Sequence, residues 1–320
     1  MKLHRRRFLH LAAAAMLPGH AAQAQAWPAR PIRLMVGFVA GGRNDILARL
    51  VAEWLTARLG QQVTVENNAS SNAATSVVAH APADGHTLML IGPANAIGVT
   101  LSKNLDFDFR RDFIPIAGIT REALIMVVNP SVLAADVEAL FVYARANPGT
   151  VKMAETGLGT ASQVTGELFR IMTGFDVMPV QFVGSATALR ALVAGEVQVM
   201  FEPISAAIEP VRAGRLRALA VTTAQRIPAL PEVPAMTEIL PGFEMSAVTG
   251  IAAPRATPAE IVERLNAEIN AAYADAAMKA RFAETGGEVL VGSPAAFGKL
   301  FGGEIAQWAR LLALSGVKAE

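Results

Sequence analysis

The sequence predicts an α/β protein with two lobes, each a mostly parallel sheet flanked by helices. Short apolar runs alternate with amphipathic segments, and none reaches the roughly 18 residues of a membrane-spanning helix. Several predicted strand-to-helix loops are rich in glycine and small polar residues. Such alternation favours parallel strands joined by right-handed crossovers, and 320 residues suffice for two domains of about 150 residues each.

The elements are predicted from the spacing of apolar residues, which repeat every second residue in strands and about every 3.6 residues in helices. The segment 44–59 is typical, because Leu47, Leu50 and Val51 recur on one face and Gly60 ends the helix. In chain order we predict strand 31–38, helix 44–59, strand 63–66, helix 73–80, strand 87–92, apolar segment 114–119, strand 124–128, helix 134–146, strand 151–154, helix 162–172, strand 177–182, helix 186–194, strand 197–201, helix 205–213, strand 216–221, apolar segment 245–253, helix 258–272 with Thr257 as its cap, and helix 297–314.

Residues 1–26 are predicted to be a signal peptide. A basic start at 2–7 precedes a short apolar stretch at 11–17, and small residues around Ala24 offer cleavage sites. The clustered arginines also resemble a twin-arginine export signal, so both export routes stay open. The mature protein, beginning near Gln25 or Trp27, is expected in the periplasm.

Removing the leader changes the charge balance of the chain. Four of the 28 basic residues leave with it, so 24 basic residues face 27 acidic ones. A mildly acidic protein without a long basic run is a poor partner for nucleic acid or anionic membranes. Cysteine is absent and only His80 and His86 remain in the mature chain, which excludes thiolate nucleophiles and thiolate metal sites. We therefore expect no metal, no cofactor and no catalytic residue.

The order of elements predicts how the two lobes divide the chain. Residues 27–123 together with 247–320 form the first lobe, and residues 124–246 form the second. The chain thus crosses between the lobes twice, and an elongated single domain is the alternative. We expect a monomer.

Three glycine-containing loops suggest a binding cleft between these lobes. They lie at 39–45, 155–162 and 183–185, each between a predicted strand and the next helix. Loops at the carboxyl ends of parallel strands are the usual ligand sites of α/β sheets. Free N–H groups at helix starts favour anions, although each loop alone is equally compatible with a simple tight turn.

Seven segments that follow one another through the whole mature chain share a recognisable pattern. They are residues 27–33, 41–45, 59–67, 83–88, 195–202, 214–221 and 228–234. Together they resemble the Bug family, the solute-binding proteins of tripartite tricarboxylate transporters.

The resemblance implies a two-lobed periplasmic binding protein that closes on a small organic carboxylate and, in some systems of the family, passes it to a membrane permease. The departures from the family pattern fall mainly in the binding loops. Ala40 replaces a proline before Gly41-Gly42, and Arg43 stands near a position that is usually small. Gln163 replaces a common histidine, and Glu202 a common aspartate.

The loops and the resemblance together define the candidate site. The ligand-binding candidates are Phe38, Ala40, Gly41, Gly42, Arg43, Asn44, Asp45, Asn68, Asn95, Thr156, Thr160, Ala161, Ser162, Gln163, Gly184, Ser185 and Glu202. Two other functions stay open: a ligand sensor that reports to a membrane receptor, and a periplasmic enzyme using Asp45, Glu155 or Glu202 as acid or base.

Arg43 is the residue of the first loop that can recognise charge. Its guanidinium can pair bidentately with a second carboxylate of the ligand. The alternative is that Arg43 points to solvent or pairs with Asp45 or Glu66.

Overall fold

The structure is a computed structural model that describes residues 27–38, 40–68, 70–102, 104–157, 160–285 and 287–315. The predicted signal peptide lies outside the described residues. Within these segments, no helix combines the length and the apolar character needed to cross a membrane.

Strands and helices alternate through most of the described chain, as the sequence predicts. The strands are β1 (Ile32–Val36), β2 (Val63–Asn67), β3 (Thr87–Ile91), β4 (Phe113–Val128), β5 (Lys152–Glu155), β6 (Met178–Gln181), β7 (Val199–Pro203), β8 (Arg217–Val221), β9 (Ser246–Pro254) and β10 (Glu288–Val289). The helices are α1 (Arg43–Leu59), α2 (Ser71–Ala79), α3 (Pro93–Leu101), α4 (Phe109–Asp112), α5 (Val137–Ala146), α6 (Ala161–Thr173), α7 (Ser185–Ala194), α8 (Ile204–Arg212), α9 (Met236–Ile239), α10 (Ala259–Ala274), α11 (Ala276–Glu284) and α12 (Pro294–Ser315).

The first sheet is built around β1. This strand pairs in parallel with β2, where Ile32 lies opposite Val63, and with β3, where Leu34 lies opposite Leu88. Every residue of β3 is buried, as expected for a strand covered by helices on both faces. Strand β9 runs antiparallel to β3, and β4 and β10 complete the sheet. This sheet and its helices are the first lobe.

The second sheet is built around β5, which pairs in parallel with β6 and β7. Strands β7 and β8 both pair antiparallel with β4. The arrangement repeats that of the first sheet, with a parallel group beside a long antiparallel strand. This sheet and its helices are the second lobe.

Strand β4 belongs to both lobes, whereas the sequence predicts two separate segments there. Its residues up to Ala123 pair with β9, and those from Leu124 onward pair with β7 and β8. Polar residues interrupt the apolar pattern between the predicted segments, but the fold buries Thr120 and Glu122 and supplies partners for them. Strands β4 and β9 are the crossing strands, and they run antiparallel to their neighbours. They make both sheets mixed, a feature that strand–helix alternation did not predict.

Helices cover both faces of each sheet. Helices α1, α10 and α11 form one core with the first sheet, and α7 and α8 form another with the second. A third core extends through both lobes, because α12 contacts α3, β4 and α6. Trp308 of α12 is only 1% exposed in this shared core. The lobes are therefore joined by packing as well as by the chain crossings.

The start of α10 differs from the prediction. Thr257 was expected to cap this helix, but Pro258 occupies the N-cap position and the helix begins at Ala259. The hydroxyl of Thr257 instead donates to the carbonyl oxygen of Pro254 at 2.7 Å. The prediction was wrong because this hydroxyl stabilises the preceding turn.

Candidate functional site

The candidate residues lie mostly at the carboxyl ends of β1, β2, β5, β6 and β7. In the first lobe, Asn67 donates to the carbonyl oxygen of Phe38 at 3.2 Å and joins the loops after β1 and β2. In the second lobe, Ser162 donates to the carbonyl oxygen of Phe201 at 2.5 Å and joins α6 to β7. Each lobe thus brings its own loops together at one edge of its sheet.

Asp45 shapes the loop that precedes α1. Its Oδ2 accepts from the backbone N–H of Gly41 at 2.9 Å and from Nε of Arg49 at 2.9 Å. Burial alone would raise the pKa of Asp45, but the hydrogen bonds from Arg49 and Gly41 outweigh burial and lower it. Gly41 has a φ of 79°, which a residue with a side chain rarely adopts. Asp45 therefore stays ionised and holds the loop in its tight turn.

The helices α1 and α7 begin without a capping side chain. Gly42 is the N-cap of α1 and Gly184 is the N-cap of α7. Ala40 and Gly41 are exposed, and Asn44 is partly exposed. Because the first N–H groups of a helix lack partners within the helix, the N-termini of α1 and α7 can both bind an anion.

The loop before α6 is different, because Thr160 caps the helix. Its Oγ1 accepts from the N–H of Gln163 at 3.3 Å and donates to the carbonyl oxygen of Gly157 at 2.8 Å. The hydroxyl of Thr156 donates to Oγ1 of Thr160 at 3.0 Å. Ala161 and Ser162 are buried. The side chains of this loop mainly fix its own conformation.

Asn68 and Asn95 also make local hydrogen bonds. Asn68 Oδ1 accepts from the N–H of Ser70 at 2.9 Å, forming the turn before α2. Asn95 is buried within α3, where its Oδ1 accepts from the N–H of Gly92 and its Nδ2 donates to Thr75, both at 2.9 Å. The sequence analysis placed Asn95 in a loop and missed α3, whose first turn this asparagine stabilises.

The buried carboxyl group of Glu155 lies next to amide side chains. Burial raises its pKa, while hydrogen bonds from Gln181 and Gln163 lower it by a smaller amount. Gln163 thus contacts the end of β5 from the first turn of α6. This arrangement supports the loop edge of the second lobe.

Glu202 is completely buried at the end of β7. Burial raises its pKa to about 8, helped by the nearby charge of Glu122 and opposed by the neighbouring hydroxyl of Ser185. The carboxyl group is therefore protonated at neutral pH. It is a neutral group that can donate a hydrogen bond, rather than an anion that attracts cations.

Arg43 makes a contact that the sequence analysis did not anticipate. Its Nε lies 2.5 Å from Oε2 of Glu122, whose side chain is fully buried on β4. The predicted pairing of Arg43 with Asp45 or Glu66 is wrong, because Asp45 pairs with Arg49 and Glu66 pairs with Arg33. The available signal was a glutamate inside an apolar run, which indicates a buried partner.

A cavity of about 500 Å³ opens beside this pair, between α1, α8 and α11. Among the described residues of the three glycine-containing loops, Arg43 alone lines this cavity. It is lined by Arg43, Ile46, Leu50, Ser205, Ala206, Arg281, Glu284 and Thr285.

Two related proteins match nearly the whole chain. The chain is 35% identical over 314 residues to the UPF0065 protein in the tcbD-tcbE intergenic region of Pseudomonas sp. (strain P51), covering 96% of this chain and 94% of that protein. It is 33% identical over 300 residues to protein BugT of Bordetella pertussis, covering 92% of each.

Solved structures share the fold. Rpa4515 of R. palustris, solved with adipate, has a TM-score of 0.83 and 34% identity, covering 91% of this chain and 98% of that one. MatC of Rhodopseudomonas palustris with bound malate has a TM-score of 0.79 and 30% identity, covering 89% of this chain and 100% of that one. The periplasmic binding protein BugD has a TM-score of 0.81 and 29% identity, covering 92% of this chain and 100% of that one.

The family model described as "Tripartite tricarboxylate transporter family receptor" matches residues 47–317. This match, the relatives and the common two-lobed α/β fold agree with each other. The chain belongs to the Bug family of tripartite tricarboxylate transporter receptors, which are periplasmic solute-binding proteins.

Proposed function

We propose that this protein is exported to the periplasm, captures a small organic carboxylate between its lobes and delivers it to a tripartite tricarboxylate-type permease. The observation that carries the proposal is the pair of helix starts without capping side chains, at Gly42 in the first lobe and Gly184 in the second. A carboxylate held by both helix starts requires no cationic side chain. The relatives solved with adipate and malate support this ligand class.

The proposed ligand contacts are the exposed groups of these loops. They comprise the backbone of 40–42, Asn44 and the start of α7 at Gly184 and Ser185. Glu202 is fully buried beside Ser185, and as a protonated acid it can donate a hydrogen bond to that hydroxyl. We assign Asn95 and Ser162 to structural roles, because hydrogen bonds within the protein already use their polar side-chain atoms.

We further propose lobe boundaries at 123/124 and 246/247, with a monomer as the functional unit. The change of partners along β4 after Ala123 and the start of β9 at Ser246 support these boundaries. The leader at 1–26 is proposed to be removed on export. Intact mass of the periplasmic protein tests this, and retention of residues 2–7 would contradict it.

The proposed ligand class is tested by the melting temperature of the mature chain with mono- and dicarboxylates, including adipate and malate. A ligand that binds only the folded state stabilises it by about 2.7 kcal/mol at one hundred times its Kd. At least one carboxylate should raise the melting temperature and be recovered chemically unchanged. Adipamide, which has the chain of adipate without its charge, is the control. Stabilisation by the amide but by no carboxylate would overturn the proposal.

A further inference from the structure

The buried pair of Arg43 and Glu122 lies where the chain crosses between the lobes. Glu122 lies two residues before Leu124, where β4 exchanges β9 for β7 and β8. Its side chain is fully buried, and that of Arg43 is 20% exposed. A charged pair in this position is costly to bury unless both members keep their partners.

The two carboxylate oxygens of Glu122 contact different lobes. Oε2 lies 2.5 Å from Nε of Arg43, the first residue of α1 in the first lobe. Oε1 accepts from the N–H of Ser205 in α8 of the second lobe at 2.8 Å. A rotation of one lobe relative to the other therefore lengthens at least one of these contacts.

The remaining nitrogens of Arg43 reach both crossing strands. Nη2 donates to Oγ1 of Thr120 on β4 at 3.0 Å, and Nη1 approaches Oγ1 of Thr249 on β9 at 3.5 Å. Arg43 also follows directly after Gly41 and Gly42 of the proposed ligand loop. One guanidinium thus connects that loop to both strands of the hinge.

We propose that Arg43 and Glu122 are positioning residues that fix the loop 40–45 to the hinge strands and hold the lobes at the observed angle. In this proposal Arg43 positions the loop instead of contacting the ligand, because Glu122 neutralises its charge. The inference rests on the proposed function only in taking 40–45 as the ligand loop. Ligand binding at this loop and the angle between the lobes are then coupled through one pair of side chains.

The test measures the distance between the lobes without any ligand. The chain contains no cysteine, so spin labels can be attached specifically at Arg190→Cys on α7 and Lys279→Cys on α11, both exposed positions. Double electron–electron resonance should give one population for the otherwise unchanged protein. The double variant Arg43→Met/Glu122→Met removes both charges, so no unpaired charge is left to unfold it. We expect a broadened distribution with a second, displaced population.

The matched control is Arg58→Met, which breaks an ion pair between α1 and Glu268 within the first lobe. It should leave the distance distribution unchanged. Amide hydrogen exchange of residues 40–46 should become severalfold faster in the double variant and stay the same in the control. A double variant that keeps its circular dichroism, its distance distribution and its loop exchange would overturn the inference. Because no ligand is added, failure of every carboxylate to bind would contradict the proposed function and leave this test intact.

Discussion

At the scale of single residues, two neighbouring glutamates have different roles at the junction of the lobes. Glu122 faces a guanidinium, whereas Glu202 has a pKa raised by burial to about 8 and carries no charge at neutral pH. Burial also raises the pKa of Glu122, while the charge of Arg43 opposes this effect. The same side-chain type thus serves as a counterion at one position and as a neutral hydrogen-bonding group at the other.

Glu202 makes stability depend on pH. Its pKa is higher in the folded protein than in the unfolded chain. Its contribution to the free energy of unfolding is therefore fully present below the unfolded pKa and is lost as pH rises through about 8. Glu202→Gln should reduce the slope of the unfolding free energy against pH by up to about 1.4 kcal/mol per pH unit between the folded and unfolded pKa values. Urea unfolding at several pH values measures the difference.

The comparison must allow for Glu304, whose pKa burial raises to about 7. Its contribution has the same sign and remains in the variant, so the slope decreases without vanishing. Parallel pH curves for Glu202→Gln and the unchanged protein would show that Glu202 does not titrate as described.

The Arg43–Glu122 pair predicts a non-additive loss of stability. Arg43→Met leaves a fully buried carboxylate without its counterion, which costs about 3–5 kcal/mol. Arg43→Met/Glu122→Met should lose less than the single variant, because replacing both charges by apolar groups removes the unpaired charge. Denaturant unfolding of the two variants tests this, and a double variant less stable than the single one would contradict it.

The sequence predicted local features of the candidate site better than contacts between distant residues. Glycine and helix-start patterns are local, so the sequence predicted that Gly41, Gly42 and Gly184 precede helices, as the structure shows. The partner of Arg43 was not, because Glu122 is 79 positions away along the chain and becomes its neighbour only when β4 crosses the molecule. Long-range pairing of charges leaves no periodic signal in a single sequence.

At the scale of elements, glycines on the crossing strands allow α12 to pack closely. A Cβ on Gly250 of β9 would lie 2.1 Å from Cζ of Phe297 and 2.6 Å from the carbonyl oxygen of Ala117. A Cβ on Gly118 of β4 would lie 2.6 Å from Cβ of Leu290. The crossing strands therefore tolerate no side chain where the C-terminal helix and its preceding segment cover them.

Gly250→Ala should destabilise the protein by about 1–3 kcal/mol or more, because the added methyl group overlaps both an aromatic ring and the backbone. Gly302→Ala in α12 is the control, since a Cβ there meets nothing within 4 Å. An alanine within a helix is favoured over glycine by about 0.5–1 kcal/mol. Equal melting temperatures for the two variants would refute the packing explanation.

Element prediction succeeded where the apolar period was uninterrupted and failed where tertiary contacts override it. Helix α1 was predicted to within one residue, because its apolar face and Gly60 are both visible in the sequence. Strand β4 was divided in two, because Thr120 and Glu122 are polar and their partners are distant in sequence. Helix α3 was missed because it is short and begins in a segment predicted as loop.

At the scale of the whole molecule, two sheets share one long strand, and a core continues through both lobes along α12. Glu122 lies on the strand that the two sheets share, and Arg43 contacts this strand from the start of α1. Strand–helix alternation predicted the fold class, and the resemblance of seven segments predicted the family. The antiparallel pairing of the crossing strands was not predicted, because alternation cannot specify where a strand leaves one sheet and enters another.

The central claim is that a carboxylate binds between the lobes and draws them together. Small-angle X-ray scattering of the mature chain, with and without saturating amounts of a carboxylate identified by melting temperature, tests it most directly. The account predicts a smaller radius of gyration with ligand, because contacts from both lobes are complete only in a closed cleft. An unchanged radius of gyration at saturation would contradict it.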